Sequence, residues 1–327
     1  MIDTTEYRRA IDDILLPIIP TGSSVAIFDY PNYGNVGDSA IWLGQKAFLD
    51  KNRVITVHVD DESVNTHELP DLSKETIVLI AGGGNFGDIY MNHQALRERL
   101  INAYKSNKIV QLPQSIHYDD PENARLFSQK LKEHPDFHLI VRDESSLELA
   151  ESINPGRAYI SPDMALYLVK LPFSARPTQK VVALLRRDRE KIFETKSSKT
   201  KVLEADWTRE NKLIKRAVKL INKFDRKIFP RKPASQLKIK VYDAAASLRL
   251  KRGCRLLGSG ELVITDRLHG HILSTMMGIP NIVLDNRYGK IANFRQKWQT
   301  GEKQQICMAA ASYAQALSLA EKWLDGL

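Results

Sequence analysis

VAIFDYPNYGNVGDSAIWLGQKAFLD, residues 25–50, runs from an apolar segment through a glycine-bearing turn into a stretch of helical spacing. A strand that is apolar at consecutive positions is buried on both faces, as in a parallel sheet covered by helices. The pattern repeats down the first half of the chain. VITVHV (54–59), TIVLIAGG (76–83), KIVQLPQS (108–115) and FHLIVRD (137–143) are further short runs rich in Val and Ile. Segments 38–50, 92–107, 121–133 and 145–153 between them have helical periodicity. AYISPDMALYL (158–168) closes this region, and LPFSARPTQK (171–180), with two prolines, marks a boundary. The alternation then restarts with VVALLRR (181–187), ELVITDR (261–267) and NIVLDN (281–286). These patterns predict an α/β protein of two Rossmann-like units facing a cleft, 1–172 and 178–308. A helix over 309–327 is expected to pack back on the first unit. In such folds ligands gather at the carboxyl ends of the strands.

The 327 residues are 43% hydrophobic and 27% charged, which excludes a disordered or fibrous chain. Cys254 and Cys307 are the only cysteines, too few for a disulfide framework or a four-cysteine zinc site. The N-terminal residues lack the pattern of a signal peptide, and no run of 18 apolar residues occurs. The expectation is therefore a soluble protein of the cytoplasm.

The net charge of +9 is unevenly spread. Residues 186–255 hold 23 Lys or Arg against 8 Asp or Glu, so the rest of the chain is mildly acidic. Within that block, NKLIKRAVKLINKFDRKIFPRK (211–232) carries nine basic residues and one acid. Leu213, Ile214, Ala217, Val218, Leu220, Ile221, Phe224 and Ile228 are expected on one helical face. A basic amphipathic helix suits peripheral contact with an anionic membrane, or else its apolar face simply packs on its own domain. Nucleic acid is not expected, because interleaved aromatics and a recognisable nucleic-acid motif are both missing.

Four glycine-bearing or ionisable loops sit at predicted strand ends. In YPNYGNVGD (30–38), Gly34 and Gly37 permit a tight turn before a helix, and Asp38 reads as a general base or as that helix's N-cap. In AGGGNFGD (81–88), Gly83 and Gly84 allow close approach of a ligand, while Asn85 and Asp88 are polar candidates with a capping alternative. QLPQSIHYDD (111–120) and VRDESS (141–146) contribute His117 as acid, base or anion ligand, and Arg142 as an anion clamp. The fourth loop, TDRLHGHILS from residue 265, is the most informative. Arg267 and His269 lie two apart, so in extended backbone both would face one anion, and a helix beginning near Gly270 would add its amides. An Asp266–Arg267 salt bridge is the structural alternative. His, Cys and carboxylate residues show no metal-ligand spacing, and there is no Gly-x-Ser-x-Gly nucleophile elbow.

Taken in order, YPNYGNVGD, AGGGNFGDIY, LPQSIH, VRDESS, PDMA, DRLHGHILS and DNRYGK resemble the motifs of the bacterial polysaccharide pyruvyl transferases, most closely the exopolysaccharide type of capsule and biofilm gene clusters. The resemblance spans about residues 25–298. It implies a glycosyltransferase B-like fold and transfer of pyruvate from phosphoenolpyruvate to two hydroxyls of a sugar. A cyclic ketal and phosphate result, and neither a cofactor nor a metal is needed. It further implies a lipid-linked or nucleotide-linked sugar acceptor. Carried over residue by residue, Arg267 anchors the donor and His269 gives a proton or binds phosphate. Asp38 or Asp88 serves as base, and Arg142, His117, Gly270, Asn286 and Lys290 are further substrate-binding positions. A nucleotide-sugar-dependent glycosyltransferase of the same fold, or a non-catalytic scaffold at the membrane, remains as a rival expectation.

Overall fold

Seven strands pair in parallel to form the first sheet of the computed structural model, which describes residues 3–173, 177–186, 201–208, 210–285, 289–299 and 306–326. The strands are β1 (Ser24–Tyr30), β2 (Ile55–Asp61), β3 (Ile77–Ile80), β4 (Gly83–Gly87), β5 (Ile109–His117), β6 (Phe137–Val141) and β7 (Ala158–Ile160). Their order is β2-β1-β3-β5-β6-β7, with β4 paired to the far half of β5. The second sheet, also parallel, is ordered β12-β11-β10-β8-β9. It comprises β8 (Gln179–Leu184), β9 (Val202–Ala205), β10 (Gly260–Thr265), β11 (Asn281–Leu284) and β12 (Cys307–Ala310). The predicted α/β class with parallel sheets is what forms. The central strands are apolar on both faces because helices cover both sides, and Val25, Ile27, Val78, Leu79, Val263 and Ile264 are all fully buried.

Each sheet has one point where the chain reverses its direction of winding: between β1 and β3 in the first, between β8 and β10 in the second. The loops leaving these strands diverge there and open a crevice at their carboxyl ends. α2 (Val36–Lys51) follows β1. Asn35 caps it by accepting a hydrogen bond from the Gly37 N–H at 3.1 Å and donating to Asp38 Oδ2 at 2.7 Å. The N-cap is therefore Asn35, and Asp38 sits inside the first turn. α7 (Gln236–Leu257) packs on α2, where Trp42 Nε1 donates to Asp243 Oδ1 at 2.8 Å. One apolar cluster runs from Val25 and Ile27 through Trp42 and Tyr242 to Leu184 and Val263, and so joins both sheets.

Several local expectations fail for identifiable reasons. The glycine loop at 81–88 contains a strand, β4, whose Gly83 (φ +146°) and Gly87 (φ +116°) occupy backbone conformations that side chains resist. β9 and β12 are four residues each, too short to carry an alternation. The last helix, α10 (Tyr313–Asp325), does not return to the first sheet. Its Tyr313, Ala316, Leu317 and Ala320 bury against Leu262, Ile282 and Leu284 of the second. The element that crosses back is α9 (Lys290–Trp298): Trp298 Nε1 donates to the Arg142 carbonyl at 2.8 Å, and Tyr7 of α1 (Thr5–Leu15) donates to the Trp298 carbonyl at 2.7 Å. Among the described residues, no helix is long and apolar enough to cross a membrane.

Candidate functional site

A cavity of about 390 Å³ lies where loops from the two winding reversals meet. Arg142, Arg186, Arg267 and Lys290 line it, with His93 and His269, and Asp38 is the one carboxylate of the lining among the described residues. Four cationic side chains gathered on one hollow suit a multiply charged anion. Tyr33, Tyr90 and Trp207 add flat apolar surface.

Arg267 and His269 do converge here, but not through an extended backbone. Arg267 is the extended N-cap of α8 (Leu268–Met277), and His269 is the second residue of that helix. The free amides of the first turn open beside them, a ready anion site. Arg267 pairs with Asp206, at 2.9 Å, rather than with Asp266. Asp266 instead accepts the backbone N–H of Arg186 at 2.8 Å, and burial pushes its carboxyl up to about 6.

His269 Nε2 is turned inward, 3.3 Å from Asp163 Oδ2, while Nδ1 lies against the backbone of Gly37. Asp163 also receives Arg142 Nη1 at 2.5 Å and the Ala165 N–H at 2.8 Å. Burial alone would raise the Asp163 carboxyl, yet the charges of His269 and Arg142 outweigh it and hold the group well below the usual carboxylate range. Ser115 Oγ accepts from Arg142 Nε at 2.9 Å and donates to Asp143, so the guanidinium is fixed from two sides. A side chain at Gly84 would come within 3.2 Å of Arg142 Nη2 and 3.5 Å of Lys290 Nζ, which explains a glycine facing these cations.

A second histidine–carboxylate pair faces the same cavity and was not read from the sequence. His93, on α3 (Met91–Ala103), contacts Asp29 Oδ1 through Nδ1 at 2.6 Å. Asp29 is a buried residue of β1 with φ +67°, and its other oxygen accepts from Asn85 at 3.1 Å. Burial lowers the His93 imidazole, but the Asp29 carboxylate prevails and its affinity for a proton is raised. Asp163, in the PDMA motif, is like His93 in carrying no local signal of its role. Each is isolated in sequence from the partner that gives it meaning.

Other expected site residues lie elsewhere. Asp88 accepts the backbone N–H groups of Asp119 and Asp120 at 2.8 and 2.9 Å and Asn123 Nδ2 at 3.1 Å, stapling the loop before α4 (Pro121–Leu131). Burial pushes its carboxyl up, and these donors overcome that and lower it. Asp88 borders a different cavity of about 480 Å³, whose Glu98 and Glu133 make it unsuited to an anion. His117 sits at the end of β5, 3.1 Å from Asp119, outside the cationic cavity. Asn85 reaches the cavity, but its amide is held by Arg97, Gln114 and Asp29. Gly34 packs against the Thr208 carbonyl, Gly83 faces Asp38 and Gln114, and Gly270 packs on Thr265. These three shape the backbone behind the cavity rather than line it. Asn286 lies outside the described residues. His271, which bonds Asn281 and Gln299 at 2.7 and 2.8 Å, is a buried cross-link whose imidazole is lowered to about 4 by burial.

The family model for polysaccharide pyruvyl transferase matches residues 35–288. The chain is 31% identical to EpsO of Bacillus subtilis (strain 168), a candidate pyruvyl transferase, over 88% of this chain and 89% of that one. It is also 31% identical to Pyruvyl transferase 1 of Schizosaccharomyces pombe, over 91% of this chain and 76% of the relative. A solved structure of a functionally uncharacterized Klebsiella pneumoniae protein shares the fold, with a TM-score of 0.64 at 18% identity, over 94% of this chain and 100% of that one. With a family match over most of its length, and with that match spanning the residues that line the cationic cavity except Tyr33 and Lys290, the chain belongs to the polysaccharide pyruvyl transferase family.

Proposed function

We propose that the protein transfers pyruvate from phosphoenolpyruvate to a pair of sugar hydroxyls of an exopolysaccharide precursor, closing a cyclic ketal and releasing phosphate. The observation that carries this reading is the meeting of Arg142, Arg186, Arg267 and Lys290 with two histidines in one cavity. Phosphoenolpyruvate bears its phosphate and its carboxylate on one carbon, and a cluster of guanidinium groups matches both. The two sheets are read as glycosyltransferase B-like units with this cavity as their cleft. Its support is that the winding reversals of both open onto it.

His269 delivers a proton to the methylene carbon of the enol phosphate, drawing the double-bond electrons there and leaving the central carbon electrophilic. Asp163 Oδ2, 3.3 Å from Nε2, holds the ring in place for this step. A sugar hydroxyl attacks the central carbon, phosphate leaves with its bonding electrons, and the second hydroxyl closes the ring. Of the two hydroxyl protons, one replaces that spent on the new methyl group and the other leaves with phosphate. His93, oriented by Asp29, is the base for the hydroxyls, with Asp38 the carboxylate alternative in the same lining. Tyr33, Tyr90 and Trp207 offer the apolar faces on which a sugar ring stacks. The acceptor is a sugar on a lipid or nucleotide carrier.

Thermal unfolding with phosphoenolpyruvate, phosphate and a panel of nucleotide sugars tests the donor. A ligand at about 100 times its Kd adds roughly 2.7 kcal/mol. Phosphoenolpyruvate is expected to raise the Tm of the wild type and not that of Arg267→Ala. A response confined to nucleotide sugars would overturn the reading.

A further inference from the structure

We propose that α6 (Lys212–Ile228) docks the protein on an anionic lipid bilayer. Its apolar residues do not share one face as the periodicity predicts; they divide between two. Val218 and Ile221 bury against the protein together with Asn222 and Asp225. Polar anchors fix that side: Asn222 donates to Asp61 at 2.7 Å, Arg226 to Asp60 at 2.6 Å, and Tyr242 to Asn222 at 2.5 Å. Leu213, Leu220, Phe224 and Ile228 point away and are 69, 67, 55 and 51% exposed. Spacings of seven and four residues place these four in a single stripe along the helix. The domain core does not claim them, because the adjoining face of α6 already supplies its contact.

Cations flank the stripe. Lys212, Lys215, Arg216, Lys219, Lys223 and Lys227 are all exposed, and none has a carboxylate partner among the described residues. Bulky apolar side chains beside unpaired lysines match the two layers of an anionic bilayer interface, acyl chains below and phosphate above. A nucleic-acid backbone would satisfy the lysines yet leave three aliphatic side chains in water. The helix begins four residues after Thr208, which lines the cationic cavity, so about 15 Å of chain at most separates the two. The proposal does not depend on the reaction assigned to that cavity.

Flotation of the full-length chain with vesicles of phosphatidylcholine alone, or of phosphatidylcholine with phosphatidylglycerol, is the test. The wild type is expected to float with the anionic vesicles only, and to be released by salt. Leu220→Ser/Phe224→Ser and, separately, Lys215→Glu/Lys219→Glu/Lys223→Glu should each weaken binding roughly tenfold or more while leaving the Tm unchanged. Failure of the wild type to float overturns the proposal. So does binding that survives both variants. A wild-type dimer in solution that Leu220→Ser/Phe224→Ser converts to monomer would make a second copy the occupant, and binding to an oligonucleotide that only the charge variant abolishes would make the surface one for polyanions.

Discussion

Gly37 lies so close to His269 that a Cβ at position 37 would stand 2.5 Å from the imidazole Nδ1. The first turn of α2 and the first turn of α8 thus meet across a contact in which one partner has no side chain. A glycine that the sequence offers as a flexible turn residue is required by its neighbour's ring. Gly37→Ala should displace the imidazole by a few tenths of an ångström or more. Misplacement of about 1 Å costs roughly 100-fold in rate, so a loss approaching that is expected, with phosphoenolpyruvate binding through Arg267 retained. Pyruvyl transfer assayed beside the donor-induced Tm shift separates the two effects.

His93 and Asp29 make the pH profile informative. A general base works in its neutral form, and Asp29 raises the proton affinity of His93 against the pull of burial. Activity should therefore climb with pH on a limb placed above the ordinary imidazole range, about 6.5. Asp29→Asn removes the opposing charge and should shift that limb to lower pH. His93→Ala should cost roughly 100-fold or more. A limb that stays in place in Asp29→Asn would take the role away from His93.

Asp88 and His117 provide the contrast. Asp88→Ala removes acceptors from three donors of a surface loop, which should cost about 0.5–1.5 kcal/mol of stability. The folded enzyme should keep its specific activity. His117→Ala should change the rate by less than about threefold, in keeping with a partly exposed residue outside the cavity. Denaturant midpoints and specific activities of the two variants check this.

Asp266 is buried with a carboxyl raised to about 6 from an ordinary 3.8. The folded state binds this proton more tightly than the unfolded chain does. Stability from this group is therefore full below about pH 4 and lost as pH rises through about 6. Asp266→Asn keeps an oxygen to accept the Arg186 N–H and never ionises. It should stabilise the protein by up to about 3 kcal/mol above pH 6 and by little near pH 4. Urea unfolding at the two pH values is the measurement.

The alternation of strand and helix, the parallel sheets and the carboxyl-end loops were legible in the sequence because each rests on periodicity within about a dozen residues. Arg142, Arg267 and His269 were legible too, as ionisable residues where strands stop, and Lys290 through the family motif that ends in DNRYGK. Tertiary structure alone decided which of them share a cavity. Asp29 and His93 are 64 residues apart, and Asp163 stands 21 residues from Arg142 and 106 from His269. Only the folding together of these distant segments brings those atoms within hydrogen-bonding reach. The same holds for α6, whose basic, apolar character is written in residues 211–232. Which of its leucines and isoleucines turn inward depends on where Asp60, Asp61 and Tyr242 stand, because a helix buries the face that its neighbours can satisfy.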